Sequence, residues 1–282
     1  MKTTYKSVIL NTLLMSMFII FSYSCTPEIG ITESLNIKMV SIPSGKFNMG
    51  TPDDEYGRTG YELVHKDSTQ GLWMSKYEIT NAQFAEFLNI KAIGEDGLYP
   101  EGDYPAQRLI KAGFQGLKYN VNQWVPDSSK YASHPVIFVT WYGAFEYAKY
   151  KGGRLPSQAE WEFACRAGTT TPFNTGNFLG YTDANYNWLF PYPSDPNYKG
   201  ASSLGTSKVG SYAPNTFGLY DMHGNVWEWC SDVEDPNAPT TRYAIRGGAW
   251  NTEAFKCRSG NVQFFQGIDY YASIGFRIVI PY

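Results

Sequence analysis

The stretch GLYDMHGNVWEWC, Gly218 to Cys230, places two tryptophans, two carboxylates, a histidine and a cysteine within thirteen residues. Trp227 and Trp229 alternate about Glu228. In an extended segment the two indoles therefore face away from the carboxylate, and indoles so placed read as core rather than as a cofactor platform. His223 sits between Met222 and Gly224, and no other His or Cys stands at ligand spacing, which argues against a transition-metal site. The whole chain has three histidines, His65, His134 and His223.

Working outward, RLPSQAEWEFACRAG precedes this stretch. Ser157 and Glu160 form a capping-box pattern, and Gly168 follows the predicted helix Pro156 to Gly168. Trp161, Ala164 and Cys165 share one face of that helix, so Cys165 is expected to be buried. Arg154, just before the helix, is expected to pair with Glu160 or Glu228 and to prop loops rather than to contact a substrate. A second helix is predicted over Thr140 to Tyr150, ended by Gly152 and Gly153. A third is predicted over Thr80 to Asn89, with Thr80 and Gln83 as its capping box and Phe84, Phe87 and Leu88 as its apolar face. Met39 to Thr51 reads as a hairpin turning at Pro-Ser-Gly. Gly94 to Lys130 shows no period and reads as a surface insertion. From Thr169 to Thr216 helix signals vanish among Gly, Asn, Pro and Tyr. Short strands are predicted at RYAIRGGAW and GFRIVI.

The chain begins with Lys2 and Lys6, an interrupted apolar run from Val8 to Phe21, and small residues leading to Cys25. That run is too short and broken to span a bilayer, so residues 1–24 read as a signal peptide. Cys25 after Ser24 resembles a bacterial lipobox, in which the cysteine becomes the lipidated first residue. Residues 25–37 then form a polar lipidated tether, and 38–282 form one domain. The protein is therefore expected to be exported and membrane-anchored, periplasmic or at the cell surface. Net charge is −3 with no basic run, which excludes nucleic acid as a partner. Aromatics make up 17% of residues, a composition that suits irregular segments pinned by large side chains. Export permits a disulfide. With Cys25 lipidated, Cys165, Cys230 and Cys257 leave one pair and one free thiol, and spacing does not choose the pair.

MVSIPSGKFNMGT, YEITNAQFAEFLN, HPVIFVTWYGAFEYAKYKGGRLPSQAEWEFACRAG, GLYDMHGNVWEWC, IRGGAW and GFRIV occur in this order. Together they resemble the formylglycine-generating enzyme family, or sulfatase-modifying factor domain, from about Met39 to the C-terminus. The resemblance implies an α+β fold, loop-rich, related to C-type lectins and low in regular secondary structure. It further implies structural Ca²⁺ held by Asp221, the carbonyls of Gly224 and Val226, and Glu228; oxygen donors of this kind suit a hard cation. The family's asparagine is Asp221 here. A second calcium site would start at Asn185 and Tyr186, with later ligands near Asp195 to Tyr198, where the spacing departs from the family's. The family's scaffold disulfide matches Cys165 and Cys257. The positions of its second disulfide are Ala148 and Ile278, neither a cysteine. Cys230 has no counterpart and reads as a buried thiol.

Family enzymes oxidise a substrate cysteine within Cys-x-Pro-x-Arg through two cysteines that hold Cu(I), a soft ion that selects thiolates. Those cysteines fall between the RGG motif and the scaffold cysteine. Here that interval, Ala249 to Lys256, contains none, so copper is not expected and no catalytic residue is assigned. Relatives with three-histidine iron carry an extra helical domain that this chain lacks. The expected function is a non-catalytic binding or assembly module on a cell-envelope lipoprotein of the type found in Bacteroidetes-like bacteria. Its partner would be a protein, peptide or glycan met by Trp250, Asn251, Phe255, Phe264, Phe265, Tyr270 and Tyr271; the same aromatics equally suit an irregular core. The alternative is a formylglycine-generating oxidase for exported sulfatases, using Cys230 and Cys257.

Overall fold

The computed structural model describes residues 36–193, 200–201 and 204–282. Signal peptide, Cys25 and most of the tether lie outside the described residues. No helix among the described residues is long and apolar enough to cross a membrane.

Strands β1 (Met39–Ile42) and β2 (Gly45–Met49) run against β4 (Leu72–Ser75) and β3 (His65–Thr69) respectively. The expected hairpin over Met39 to Thr51 is therefore corrected. Met39 faces Ser75, Ile42 faces Leu72, Gly45 faces Thr69 and Met49 faces His65, so one register runs through both ladders. Pro43 and Ser44 interrupt one arm of a longer ribbon whose reversal lies between Met49 and His65. Pro43 has no amide hydrogen to give a ladder, so it breaks the pairing without reversing it.

Helix α1 (Asn81–Ile90) starts as predicted: the Thr80 side chain accepts from the Gln83 amide, and the Gln83 side chain accepts from Thr80 N–H. Its buried face of Phe84, Phe87 and Leu88 meets α2 (Trp141–Tyr150) and Phe276 in the main core. Each such side chain contributes roughly 1.5–3 kcal/mol on burial. The insertion over 94–130 is not merely superficial. It supplies Leu109, Ile110, Leu117 and Trp124 to that core and forms the hairpin β5 (Leu117–Asn120) and β6 (Gln123–Pro126). Its Val121-Asn122 turn lacks the usual glycine, and both residues adopt positive φ.

Helix α3 (Gln158–Arg166) has the Ser157–Glu160 capping box and ends with Ala167 and Gly168 at positive φ. Trp161, Ala164 and Cys165 are fully buried. They meet a four-stranded sheet ordered β10 (Ile274–Gly275), β7 (Trp227–Val233), β8 (Arg242–Arg246), β9 (Val262–Gln266). Strand β11 (Val279–Pro281) returns to β4. No named helix or strand lies between Arg166 and Trp227 among the described residues, as the composition implies. That region packs around Phe173, Tyr186 and Tyr192. Among the described residues, the mixture of short strands, three α-helices and long loops is the expected α+β, loop-rich fold.

Candidate functional site

The turn before β7 is tight because Asp221, Gly224 and Asn225 all take positive φ. A Cβ on Gly224 would stand 2.3 Å from the Asn185 carbonyl oxygen, so only glycine fits there. The Gly224 amide donates to Gly247 O, and the Asn225 amide donates to Asn185 O. The Asn225 side chain then reaches inward: its Nδ2 donates to Glu78 Oε2 at 2.8 Å, and its Oδ1 accepts from the Ser207 amide.

Three buried carboxylates meet here: Glu78, Asp221 and Glu228. One guanidinium balances them. Arg277 Nε and Nη2 bind the two oxygens of Glu228 at 2.6 and 2.7 Å, and Trp161 Nε1 adds a third bond at 2.7 Å. Asp221 Oδ2 accepts from the Gly210 amide. Glu78 Oε1 and Asp221 Oδ1 are buried without a hydrogen-bond partner. Burial, then the charges of Asp221 and Glu228, push the Glu78 carboxyl well above its usual range. Burial also pushes Asp221 up to about 6, against the Gly210 hydrogen bond and the Arg277 charge.

A divalent cation fits this donor set, since two orphaned carboxylate oxygens and an excess of negative charge are what such an ion would satisfy. Gly224 and Val226 lie on the same turn, between the two acids. Among the described residues no three His, Cys, Asp or Glu side chains converge at ligand distance, so carbonyl oxygens and water would complete the shell. Glu228, whose oxygens already serve Arg277 and Trp161, keeps only its remaining lone pairs for an ion. Of the second predicted set, Asn185 Nδ2 donates to Gly205 O and Asn225 Oδ1, and the buried Tyr186 hydroxyl donates to Leu179 O. Residues 195–198 lie outside the described residues.

Sequence reasoning missed Glu78, Asn225 and Arg277 in this cluster. Each carried a signal: a carboxylate between Tyr77 and Ile79 beside a helix cap, an amide within the turn, and a cation in an apolar run. Arg154 does pair with Glu160, through two bonds of 2.6 Å, and not with Glu228.

The interval that would carry copper thiolates follows Gly247 and Gly248. Ala249 to Thr252 closes a turn, and a short 3-10 helix runs over Ala254–Cys257. A Cβ on Gly248 would stand 2.4 Å from Cys257 Sγ, so the chain folds tightly over this thiol. The expected Cys165–Cys257 disulfide is corrected: Cys165, Cys230 and Cys257 are all free and buried. The His223 imidazole touches both cysteines. One ring nitrogen bonds Cys257 O at 2.7 Å, the other accepts from the Asn174 amide, and Cys165 Sγ rests 3.8 and 3.9 Å from the two nitrogens. Burial pushes the Cys165 and Cys257 thiols up to about 12 and raises Cys230 well above the usual thiol range. Neutral, enclosed thiols are poor copper donors, so these residues do not fit a Cu(I) centre.

Of the predicted ligand-facing aromatics, Phe265 and Tyr271 pack on each other, and the others have separate neighbours. Phe255 packs with Tyr56, Phe264 with Tyr61, and Phe265 with Tyr271, while Tyr270 accepts a hydrogen bond from Lys111. Phe264 and Phe265 are successive on β9 and so face opposite sides. Trp250 Nε1 donates to Ala272 O, and Asn251 is exposed.

The sulfatase-modifying factor enzyme 1-like domain matches residues 29–281. Mouse formylglycine-generating enzyme is 33% identical over 221 residues, covering 69% of this chain and 58% of that protein. The chain thus spans little more than half of that relative. Mouse inactive C-alpha-formylglycine-generating enzyme 2 is 28% identical over 264 residues, covering 86% of this chain and 83% of the relative. Among solved structures, PvdO from Pseudomonas aeruginosa superposes with a TM-score of 0.64 at 30% identity, covering 86% of this chain and 94% of the other.

Proposed function

This chain belongs to the family of the sulfatase-modifying factor enzyme 1-like domain, and on that premise we propose that it is a non-catalytic binding or assembly module. The observation that carries the reading is the sulfur-free interval Ala249 to Lys256, beside three thiols that are buried and held neutral. Oxidation of a substrate thiol in this family's manner requires a pair of thiolates that an ion and a substrate can reach. The match to a mouse relative named as inactive supports a scaffold role. The module is a lipoprotein of the cell envelope, anchored through Cys25 at the end of its signal sequence. Ca²⁺ is its structural ion, held by Asp221, Glu228 and the carbonyls of Gly224 and Val226, beside the orphaned Glu78 carboxyl. Its partner is a protein, peptide or glycan rather than nucleic acid.

The test is direct. The purified chain, copper and oxygen are incubated with a peptide containing Cys-x-Pro-x-Arg, and the peptide is followed by mass spectrometry. The peptide thiol is expected to survive. Conversion of that cysteine to an aldehyde, together with stoichiometric Cu(I) binding, would overturn the proposal in favour of a sulfatase-maturing oxidase. Cys25→Ala is expected to move the protein from the membrane fraction to the soluble fraction; retention in the membrane would refute the anchor.

A further inference from the structure

A groove of about 840 Å³ lies between the β2–β3 ribbon and the C-terminal end of α3, on residues that neither the metal cluster nor the thiol interval uses. That volume lies within the range of ligand sites. Its floor is apolar: Phe47 of β2 packs on Phe163 of α3, with ring centroids 5.4 Å apart. Its rim is polar and cationic. Lys46 is opposite Ser68 and Asn48 is opposite Lys66, and all four are exposed on one face of the ribbon. Among the described residues neither Lys46 nor Lys66 has an ion-pair partner. The Arg166 guanidinium at the groove is already consumed by Glu162, Gly50 O and Thr171 O. Asp67 is opposite Phe47 in the ladder, so it shares the floor face of the groove and points away from the two lysines; its Oδ1 accepts from the Ser68 amide, and its other oxygen is 3.7 Å from His65.

The topology adds a second observation. β4 is paired on both sides, by β1 and β11, whereas β3, its continuation, is paired by β2 alone. Among the described residues no backbone bond leaves Lys66 or Asp67 for anything beyond the ribbon. Asp67 Oδ1 occupies the Ser68 amide; the rest of this unpaired edge is a template for another strand. The approach to that edge is apolar and open: Tyr61, Leu63 and Val64 are exposed by 60%, 64% and 52%, and Val64 also lines the groove. A run of three exposed apolar residues leading into an open strand marks an interaction surface.

We infer that this groove receives an extended, acidic segment of a partner protein, which adds to β3 as a further strand. Alternate side chains of such a segment point to opposite faces. Its carboxylates lie along the Lys46 and Lys66 face, and its apolar residues lie toward Phe47 and Phe163. The main-chain ladder supplies affinity, and the two ammonium groups select the charge. The assignment is independent of whether the thiol interval is inert, because no residue is shared.

The probe is a fluorescein-labelled octapeptide of alternating Glu and Val, with the Lys-Val peptide and a sulfated oligosaccharide as comparisons. Fluorescence anisotropy is expected to show binding of the acidic peptide only. Lys46→Glu/Lys66→Glu is expected to weaken it at least tenfold with an unchanged melting temperature; Lys46→Gln/Lys66→Gln serves if the charge-reversed protein fails to fold. Amide hydrogen exchange is expected to slow at His65 to Thr69 when the peptide is bound. Absence of binding, binding that ignores both double substitutions, or unchanged exchange at β3 would each overturn the inference. Preferential binding of the sulfated oligosaccharide through the same lysines would overturn it in favour of a glycan site.

Discussion

Arg277 and Glu228 show how much a single side chain can hold. Both are fully buried, and Arg277 also donates to Ser75 O and Tyr220 O, so one guanidinium ties β7, β4 and the turn before β7 together. Breaking such a pair leaves an unpaired buried charge, which costs about 3–5 kcal/mol. Arg277→Met is therefore expected to destabilise the domain by about that amount in urea unfolding, well beyond the cost of an exposed substitution. A loss below about 1 kcal/mol would contradict the role given to the pair. At this scale the sequence was partly legible. The burial of Cys165 followed from helical spacing, and Glu160 was one of the two partners expected for Arg154. The partner of Glu228 did not, because Arg277 lies 49 residues away and only the parallel pairing of β10 with β7 brings it close.

At the scale of elements, the helices were the legible part because their signals are local. Thr80, Thr140 and Ser157 each accept a bond from an amide three residues on, and two of the three complete a capping box. Ser157→Ala removes the acceptor for the Glu160 amide at the start of α3, and caps of this kind are worth about 0.5–2 kcal/mol. The expected result is a lower melting temperature with α3 still formed, read by urea unfolding; Ser157→Asp is expected to restore stability, as an acidic cap suits a helix N-terminus. Equal stability of the alanine and aspartate variants would remove the cap from the account. The ribbon was less legible. Pro-Ser-Gly carries the chemistry of a turn, yet here it is a break in a strand, and turn chemistry alone cannot report which distant strand lies alongside.

Over the whole molecule, buried ion networks take the place of regular structure. Arg258 joins Glu55, Glu62 and Gly57 O, which pins the loop over 51–62 to the segment after Cys257. Burial alone would raise the Glu62 carboxyl, but hydrogen bonds and charge from Arg258, with Thr51 and Asn261, bring it below 4.5. A depressed folded pKa contributes stability that is fully present above the unfolded value and is lost as pH falls through the folded value. The urea midpoint is therefore expected to decline once pH drops below 4.5, with a shallower decline in Glu62→Gln. The same acid slope in both proteins would exclude Glu62 as the source. The metal reading makes a second molecule-wide prediction. At a hundredfold excess over its Kd, Ca²⁺ is expected to stabilise the fold by about 2.7 kcal/mol, raising the melting temperature by roughly 5–10 °C. Asp221→Ala and Glu78→Gln are expected to blunt that rise. Identical melting in Ca²⁺ and in chelator would dismiss the site.

The sequence by itself determined the helices, their caps, the buried face of each, the family and the missing sulfur pair. These are properties of neighbouring residues or of a residue's presence, and both are written along the chain. Only the tertiary structure decided that three carboxylates share one guanidinium, that His223 stands against Cys165 and bonds the Cys257 carbonyl, and that β3 keeps an open edge. Each of these depends on which distant segments lie side by side, and burial converts that proximity into large electrostatic and steric consequences that no local pattern encodes.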